Sequence, residues 1–202
     1  IQYDMAGYMA AAREHFDGGR FTLTYGNPYS PSTDTPRIYF QPMTLLLAAA
    51  WRSTGEDPGL LFVAFGLVAG LVAVRVAIAL FDELFGLETR AKKLALVAFV
   101  WGGGLMALSG AMFGLLSGRP IAATLWRFDP NEGWWFLNFG RNLVYPTEAL
   151  YHALALGCLL ALVRRRFAAA VALLAVLSAS HPFTGIQVIG IMLGWMVLER
   201  VA

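Results

Sequence analysis

Long runs of hydrophobic residues, separated by short polar segments, occupy most of the chain. Residues 60–81 contain one charge, Arg75, and residues 94–116 contain none, so both runs are long enough to cross a bilayer as helices, which takes about 20 residues. Residues 143–163 form a third such run, which is followed by three arginines. The pattern predicts an all-α fold with helices that cross a membrane.

Two shorter apolar runs, 167–179 and 184–198, follow and are separated by a break that contains His181 and Pro182. At about 1.5 Å per residue, neither run easily covers a hydrocarbon layer of about 30 Å. Either both are short spans, or the break lies below the membrane surface, where non-helical backbone persists only if it lines a cavity or is buried in protein. Together with the longer runs they give about five membrane segments within a transmembrane region at residues 58–202.

Residues 1–39 are too polar to cross a bilayer and too regular in pattern to be disordered. We predict one or two helices in the membrane interface, with a turn-rich loop at 26–36. A helix at the start of this segment has a polar face beside an apolar face, formed by Asp4, Tyr8 and His15 and by Met5, Met9, Ala12 and Phe16 respectively. We expect the apolar face to lie on the membrane.

Residues 40–51 form an apolar run that is too short to span, so they predict a partly inserted helix. This helix ends in a polar turn at 52–58 that contains Gly55 and Pro58. We therefore interpret residues 1–57 as an external loop with interfacial helices and one partly inserted helix.

The composition excludes an ordinary soluble domain, because 58% of the residues are hydrophobic and 14% are charged. A net charge of +2 gives no strong field for a nucleic-acid partner. The single cysteine, Cys158, excludes an internal disulfide. The expected partner is the lipid bilayer.

The basic residues favour one orientation of the chain in the membrane. Dense basic clusters at 90–93 and 164–166, together with Arg200, fall on one side if the predicted segments alternate. The positive-inside tendency places that side in the cytoplasm, so the amino-terminal loop is external. We expect an integral protein of a prokaryotic inner (cytoplasmic) membrane.

The amino-terminal segment also resembles a known family. The spacing of Asp4, Tyr8, Arg13 and Glu14, a glycine pair soon after, and the sequence Tyr-Phe-Gln-Pro at 39–42 are similar to the first external loop of GT-C glycosyltransferases. The closest branch contains protein O-mannosyltransferases and lipid A aminoarabinose transferases. This chain departs from many relatives at Met5, where they carry a second acidic residue.

The resemblance implies an enzyme that takes a sugar from a polyprenyl-phosphate carrier and transfers it to an acceptor hydroxyl by inverting displacement. Asp4 occupies the position of the essential acidic residue, and a carboxylate there can accept the proton of the acceptor. The resemblance also implies a membrane helix upstream of this segment and further helices downstream, so we expect the chain to be the amino-terminal portion of a longer protein.

Glu148 is the second candidate catalytic acid. The segment from Arg141 to Glu148 resembles a family segment in which an arginine precedes an acid at the outer start of a helix, and an ionisable group in an apolar run suggests a site. Glu148 is equally explained as a first-turn residue behind Pro146 that is stabilised by the helix dipole. His152 lies four residues on and can hydrogen-bond Glu148, although helix packing is its simpler role.

The remaining candidates would bind the carrier and its sugar. His181 falls where relatives carry a polar or cationic residue, and a helix-capping role is the alternative. Arginine forks suit phosphate, but the sequence does not choose among the external arginines. The complete set of predicted substrate-binding residues is Tyr8, Arg13, Arg119, Arg127, Arg141 and His181. No metal ligand set is predicted, although oxygen atoms of Asp4 and Glu148 suit a divalent cation.

Two other functions fit parts of the sequence. Glu148, His152, Arg75 and the break at His181 are compatible with a polar path through a transporter. Met5, in place of the usual acid, is compatible with a non-catalytic subunit of a larger membrane complex.

Overall fold

The computed structural model describes residues 5–16, 19, 21–27, 30, 35–101, 105–124 and 145–201. Within these residues the chain is helical, apart from loops and one isolated antiparallel bridge between Tyr25 and Tyr39, so the predicted all-α class is confirmed. Three predicted site residues, Asp4, Arg127 and Arg141, lie outside the described residues.

The described helices are α1 (Met5–Glu14), α2 (Pro42–Thr54), α3 (Pro58–Phe85), α4 (Arg90–Trp101), α5 (Leu105–Ser117), α6 (Ile121–Thr124), α7 (Pro146–Val163), α8 (Phe167–Ser180) and α9 (Pro182–Val201). Helices α2, α3, α7 and α9 begin at proline, whose fixed φ suits the first helical position. Asp57 caps α3 by accepting hydrogen bonds from the backbone N–H groups of Gly59 and Leu60, at 2.8 and 3.0 Å.

Among the described helices, two, α3 and α7, are long and apolar enough to cross a membrane. Helix α8 and the part of α9 up to Leu198 are apolar but shorter. The predicted span at 94–116 corresponds to α4 and α5, between which residues 102–104 lie outside the described residues. Helix α3 exposes an apolar stripe that includes Val63, Leu67 and Leu71, as expected of a surface that contacts lipid.

Helices α3 and α7 pack side by side and run in the same direction. Gly66 faces Pro146, since a Cβ atom on Gly66 would lie 2.6 Å from the proline ring. Further along, Ala73 packs with Ala153, and Arg164 donates to Glu83 at 3.0 Å. Each contact pairs residues about 80 positions apart, so the two helices are parallel and in register. Alanines and glycines in the seam let the backbones approach closely.

Helices α8 and α9 form a tight hairpin. A Cβ atom on Gly185 would lie 2.8 Å from the Cα of Ser178, so only glycine fits at this approach. The break between the two helices is the single residue His181, as the sequence predicted for this position. Because the His181 ring stacks on Tyr151, the break lies level with the second turn of α7.

The apolar face of α1 is buried against protein, and this corrects the expectation that it lies on the membrane. Met9 and Ala12 form a core with Met43 and Leu47 of α2 and Phe62 of α3. The face exists as the periodicity predicted, but the neighbouring helices cover it.

Candidate functional site

Tyr151 is the centre of a polar cluster where α1, α2, α7 and the hairpin of α8 and α9 meet. Its side chain is 3% exposed. The amide nitrogen of Gln41 donates to the Tyr151 hydroxyl at 3.4 Å and to the Ser180 carbonyl at 3.3 Å. The hydroxyls of Tyr8 and Tyr151 are hydrogen-bonded, and the Glu148 carboxyl is close enough to act on Tyr151 electrostatically. The cluster joins residues from opposite ends of the chain.

Gln41 connects the amino-terminal segment to the membrane-type helices. Because a carbonyl can only accept, the amide nitrogen of Gln41 faces Ser180 and its oxygen faces the other way. That oxygen accepts a hydrogen bond from the Tyr25 hydroxyl at 3.4 Å. Gln41 precedes α2 directly, so the start of α2 is fixed against α7 and α8.

His181 has two roles in the structure. Its ring stacks on Tyr151 with centroids 4.6 Å apart. Its Nδ1 accepts the backbone N–H of Thr184 at 3.3 Å and contacts the Thr184 hydroxyl at 2.6 Å, which caps α9. Since the backbone N–H must donate, the proton of the neutral ring is on Nε2. The described residues supply no hydrogen bond to that Nε2.

Glu148 lies in the first turn of α7 and is half-buried. The expected contact with His152 exists, but it is made by the main chain: His152 Nδ1 donates to the Glu148 carbonyl oxygen at 2.7 Å. The carboxylate is therefore not held by that bond, and it lies on the same side of α7 as Tyr151, three residues further on. Its position also suits the helix dipole, so the two interpretations of Glu148 are compatible.

Of the predicted binding residues on α1, Tyr8 belongs to the cluster and Arg13 does not. The Tyr8 ring also stacks on Phe62, with centroids 6.2 Å apart. Arg13 is exposed at the end of α1, and five residues place it about 140° around the helix from Tyr8.

Arg119 follows α5, away from the contacts that define the cluster. Its guanidinium lies 5.9 Å from the centre of the Phe113 ring, and its backbone N–H donates to the Gly114 carbonyl. Both contacts stay within its own segment. The structure thus brings together Tyr8, Glu148 and His181, and it does not bring Arg13 or Arg119 to them.

His15, which the sequence predicted on the polar face of α1, is fully buried and is linked to the cluster through Thr44 and Gln41. Its Nδ1 donates to the Thr22 carbonyl at 2.7 Å, and its Nε2 lies 3.0 Å from the Thr44 hydroxyl. Thr44 in turn bonds the backbone carbonyl of Gln41 at 2.8 Å. His15 therefore ties the end of α1 to the start of α2 and fixes the position of Gln41.

A divalent cation is not supported by the part of the chain that the structure describes. Within it, no group of three or more His, Cys, Asp or Glu side chains is placed to hold a metal ion. Asp4 lies outside that part, so a cation shared by Asp4 and Glu148 stays a prediction.

Two members of the cluster, Tyr151 and Gln41, were not predicted as site residues. Tyr151 lies three residues after Glu148, and this spacing on one helical face is a signal that the sequence did contain. Gln41 is part of the segment at 39–42, but only the fold shows that its amide reaches α7 and α8.

The cluster offers hydroxyls, a carboxamide, a carboxylate and an imidazole N–H in one place. These groups can hydrogen-bond sugar hydroxyls and phosphate oxygens. No protein family, curated protein or solved structure matches this chain.

Proposed function

We propose that this chain is part of a GT-C-type membrane glycosyltransferase that moves a sugar from a polyprenyl-phosphate carrier to an acceptor hydroxyl. The observation that carries the proposal is the meeting of Tyr8, Glu148 and His181 at the Tyr151 side chain, with His181 stacked on its ring. These three candidates come from separate segments of the sequence, and the fold brings all three to one side chain.

The reaction is an inverting displacement. The acceptor oxygen attacks the anomeric carbon, the bond from that carbon to the phosphate oxygen breaks, and the carrier phosphate leaves. Asp4 takes the proton of the acceptor as the new bond forms, and Glu148 is the supporting acid. The Nε2–H of His181 donates to the phosphate, while Tyr8, Tyr151 and Gln41 bind sugar hydroxyls. Of the predicted arginines, Arg127 and Arg141 remain the ones proposed to pair with the phosphate.

In this proposal about five segments cross or enter a prokaryotic cytoplasmic membrane, with residues 1–57 outside. The parallel packing of α3 and α7 supports it, because the sequence predicts one return segment, 94–116, between them. Alternation then gives both helices the same direction. The ion pair of Glu83 and Arg164 lies at their common end, next to the basic cluster assigned to the inside.

The proposed topology places the cluster within the hydrocarbon layer, with Tyr151 near its middle. Gly66 is about 12 Å along α3 from Pro58, and it faces Pro146. Tyr151 is about 7.5 Å further along α7, so it lies about 20 Å from the outer end of α3, close to the middle of a hydrocarbon layer of about 30 Å. A carrier phosphate would enter from the leaflet. The helix break at His181 is covered at that depth by Tyr151 and Gln41, as non-helical backbone in a membrane requires.

The proposal is tested by sugar transfer from a polyprenyl-phosphate donor with the purified protein in lipid nanodiscs. Asp4→Asn should abolish transfer, and Tyr151→Phe should lower it by about tenfold through loss of one hydrogen-bonding hydroxyl. Asp82→Asn, an exposed acid near the other end of α3, is the matched control and should be as active as the wild type. Normal turnover of Asp4→Asn would remove Asp4 from the mechanism.

One observation favours a second function, that of a non-catalytic membrane subunit. Met5 stands where many relatives have a second acid, and it packs against the hydrophobic core of α1, α2 and α3. An apolar anchor at this position serves stability. Stable co-purification with a membrane complex, together with no transfer by the wild-type protein, would favour this function.

A further inference from the structure

A cavity lies apart from the Tyr151 cluster, between the end of α1 and the C-terminal half of α2. Its volume is about 600 Å³. It is lined by Phe16, Gly19, Phe21, Ala49, Arg52 and Ser53, none of which belongs to the cluster. A cavity of this size holds a small ligand or the head group of a lipid.

The positive charge of Arg52 in the lining favours an anionic ligand. Arg52 is exposed in the last turn of α2, where the carbonyls at the helix end favour a cation. Among the described residues, the lining contains no acidic side chain, and Asp17, which follows Phe16, lies outside the described residues. Of the two carboxylates that follow α2 in the chain, Asp57 is engaged in capping α3, and Glu56 is exposed and forms no ion pair with Arg52 among the described contacts. The Arg52 guanidinium can therefore offer its fork to phosphate oxygens.

The rest of the lining is apolar, so the ligand must be amphiphilic. Phe16 and Phe21 stand together, with ring centroids 5.7 Å apart, and Phe21 is 56% exposed. Ala49 is exposed on the same helix as Arg52, and Leu46, one turn before Ala49, is exposed as well. An apolar surface thus leads up to the cation.

The cavity lies near the start of α3, a helix that is long and apolar enough to cross a membrane. Helix α2 ends at Thr54, and its C-cap, Gly55, comes two residues before Asp57, which caps α3. The apolar run of α3 begins at Leu60, so Arg52 is near the level where acyl chains give way to head groups. Anionic lipids attract basic side chains at this level.

We propose that this cavity binds the phosphate head group of an anionic phospholipid from the leaflet at the Pro58 end of α3. Arg52 pairs with the phosphate, and Phe16 and Phe21 contact the glycerol and the first methylenes. This assignment does not depend on glycosyl transfer, because it shares no residue with the Tyr151 cluster.

The test is retention of phosphatidylglycerol by the intact, detergent-purified protein, measured by native mass spectrometry. Arg52→Ala should weaken retention by about tenfold, the effect of losing one charge-assisted pair, and Arg52→Lys should restore part of it. Arg37→Ala is the matched control, since Arg37 is another exposed arginine of the same region but contacts Thr22 and lies outside the cavity. It should leave retention unchanged.

Phe21→Ala is a second variant that removes an exposed wall without touching the charge, and it should weaken retention by about threefold. Phosphatidylcholine should bind more weakly than phosphatidylglycerol, and glycerol phosphate, which has the head group but no tails, should not compete. Equal retention by the wild type and Arg52→Ala overturns the proposal. An equal loss in Arg37→Ala, or competition by glycerol phosphate, also overturns it.

Discussion

Replacing Gly66 by alanine should destabilise the protein, because the parallel seam of α3 and α7 is closed at this point by a glycine. The added Cβ would lie 2.6 Å from Cγ and 3.0 Å from Cβ of Pro146, and 3.4 Å from the proline Cα. Ordinary carbon contacts are about 3.5–4.0 Å, so the helices must separate locally by roughly 1 Å. The proline ring is rigid and begins α7, so it cannot move aside without moving the helix.

The expected magnitude is the difference between two terms. Overpacking of this kind costs about 1–3 kcal/mol, while alanine in place of glycine in a helix gains about 0.5–1 kcal/mol. We therefore expect a net loss of about 0.5–2 kcal/mol for Gly66→Ala. Gly190→Ala is the matched control, since Gly190 lies within α9 and a Cβ there meets no atom within 4 Å.

The assay is thermal unfolding in one detergent, followed by size-exclusion chromatography of the heated protein. Gly66→Ala should unfold at a lower temperature than the wild type, and Gly190→Ala should unfold at the same temperature or a higher one. If Gly66→Ala is as stable as Gly190→Ala, the seam is not packed as described, and the level of Tyr151 relative to α3 would need revision.

Three further predictions address other contacts. His15→Ala removes a fully buried ring and two hydrogen bonds, so it should lower the free energy of unfolding by about 2–4 kcal/mol. Protease cleavage before residue 42 should increase. An unchanged cleavage rate would contradict the role of His15 in holding α1 against α2. Gln41→Leu keeps the size of the side chain but loses its hydrogen bonds to Tyr151 and Ser180. It should lower the rate of sugar transfer by about tenfold with little change in folding. Wild-type activity would show that Gln41 has no role in positioning the substrate or Tyr151. Arg164→Ala breaks the ion pair with Glu83, whose two side chains are 39% and 37% exposed. Solvent screening should therefore limit the loss of stability to about 0.5 kcal/mol. A loss of several kcal/mol would mean that the pair is buried in the folded protein.

The helices that carry strong local signals could be predicted from the sequence. The apolar run at 60–81 lies within α3, and the run at 143–163 matches α7 except at its start, where Pro146 begins the helix. The break predicted around His181 is present at that residue. In each case long apolar runs and prolines act locally, so the pattern is sufficient.

What the sequence could not supply is which surfaces meet. The apolar face of α1 has the periodicity of a membrane-surface helix, but Met9 and Ala12 are covered by α2 and α3. The same periodicity suits both environments, and only the tertiary contacts decide between them.

The candidate site was predicted in part. Tyr8, Glu148 and His181 were selected from the sequence and lie together, whereas Arg13 and Arg119 point to other surroundings. The missing centre, Tyr151, is joined to Gln41 and Tyr8, which lie more than 100 positions away in the sequence. Sequence spacing carries no information about contacts of that kind.

Photocrosslinking tests most directly whether the Tyr151 cluster binds the sugar of the donor. The probe is a polyprenyl-phosphate donor that carries a diazirine on its sugar, and the adducts are located by peptide mass spectrometry. The site proposed here predicts adducts on peptides that contain Tyr8, Tyr151 or His181, and their loss when unlabelled donor competes. Adducts confined to peptides outside α1, α7 and the hairpin of α8 and α9 would contradict it.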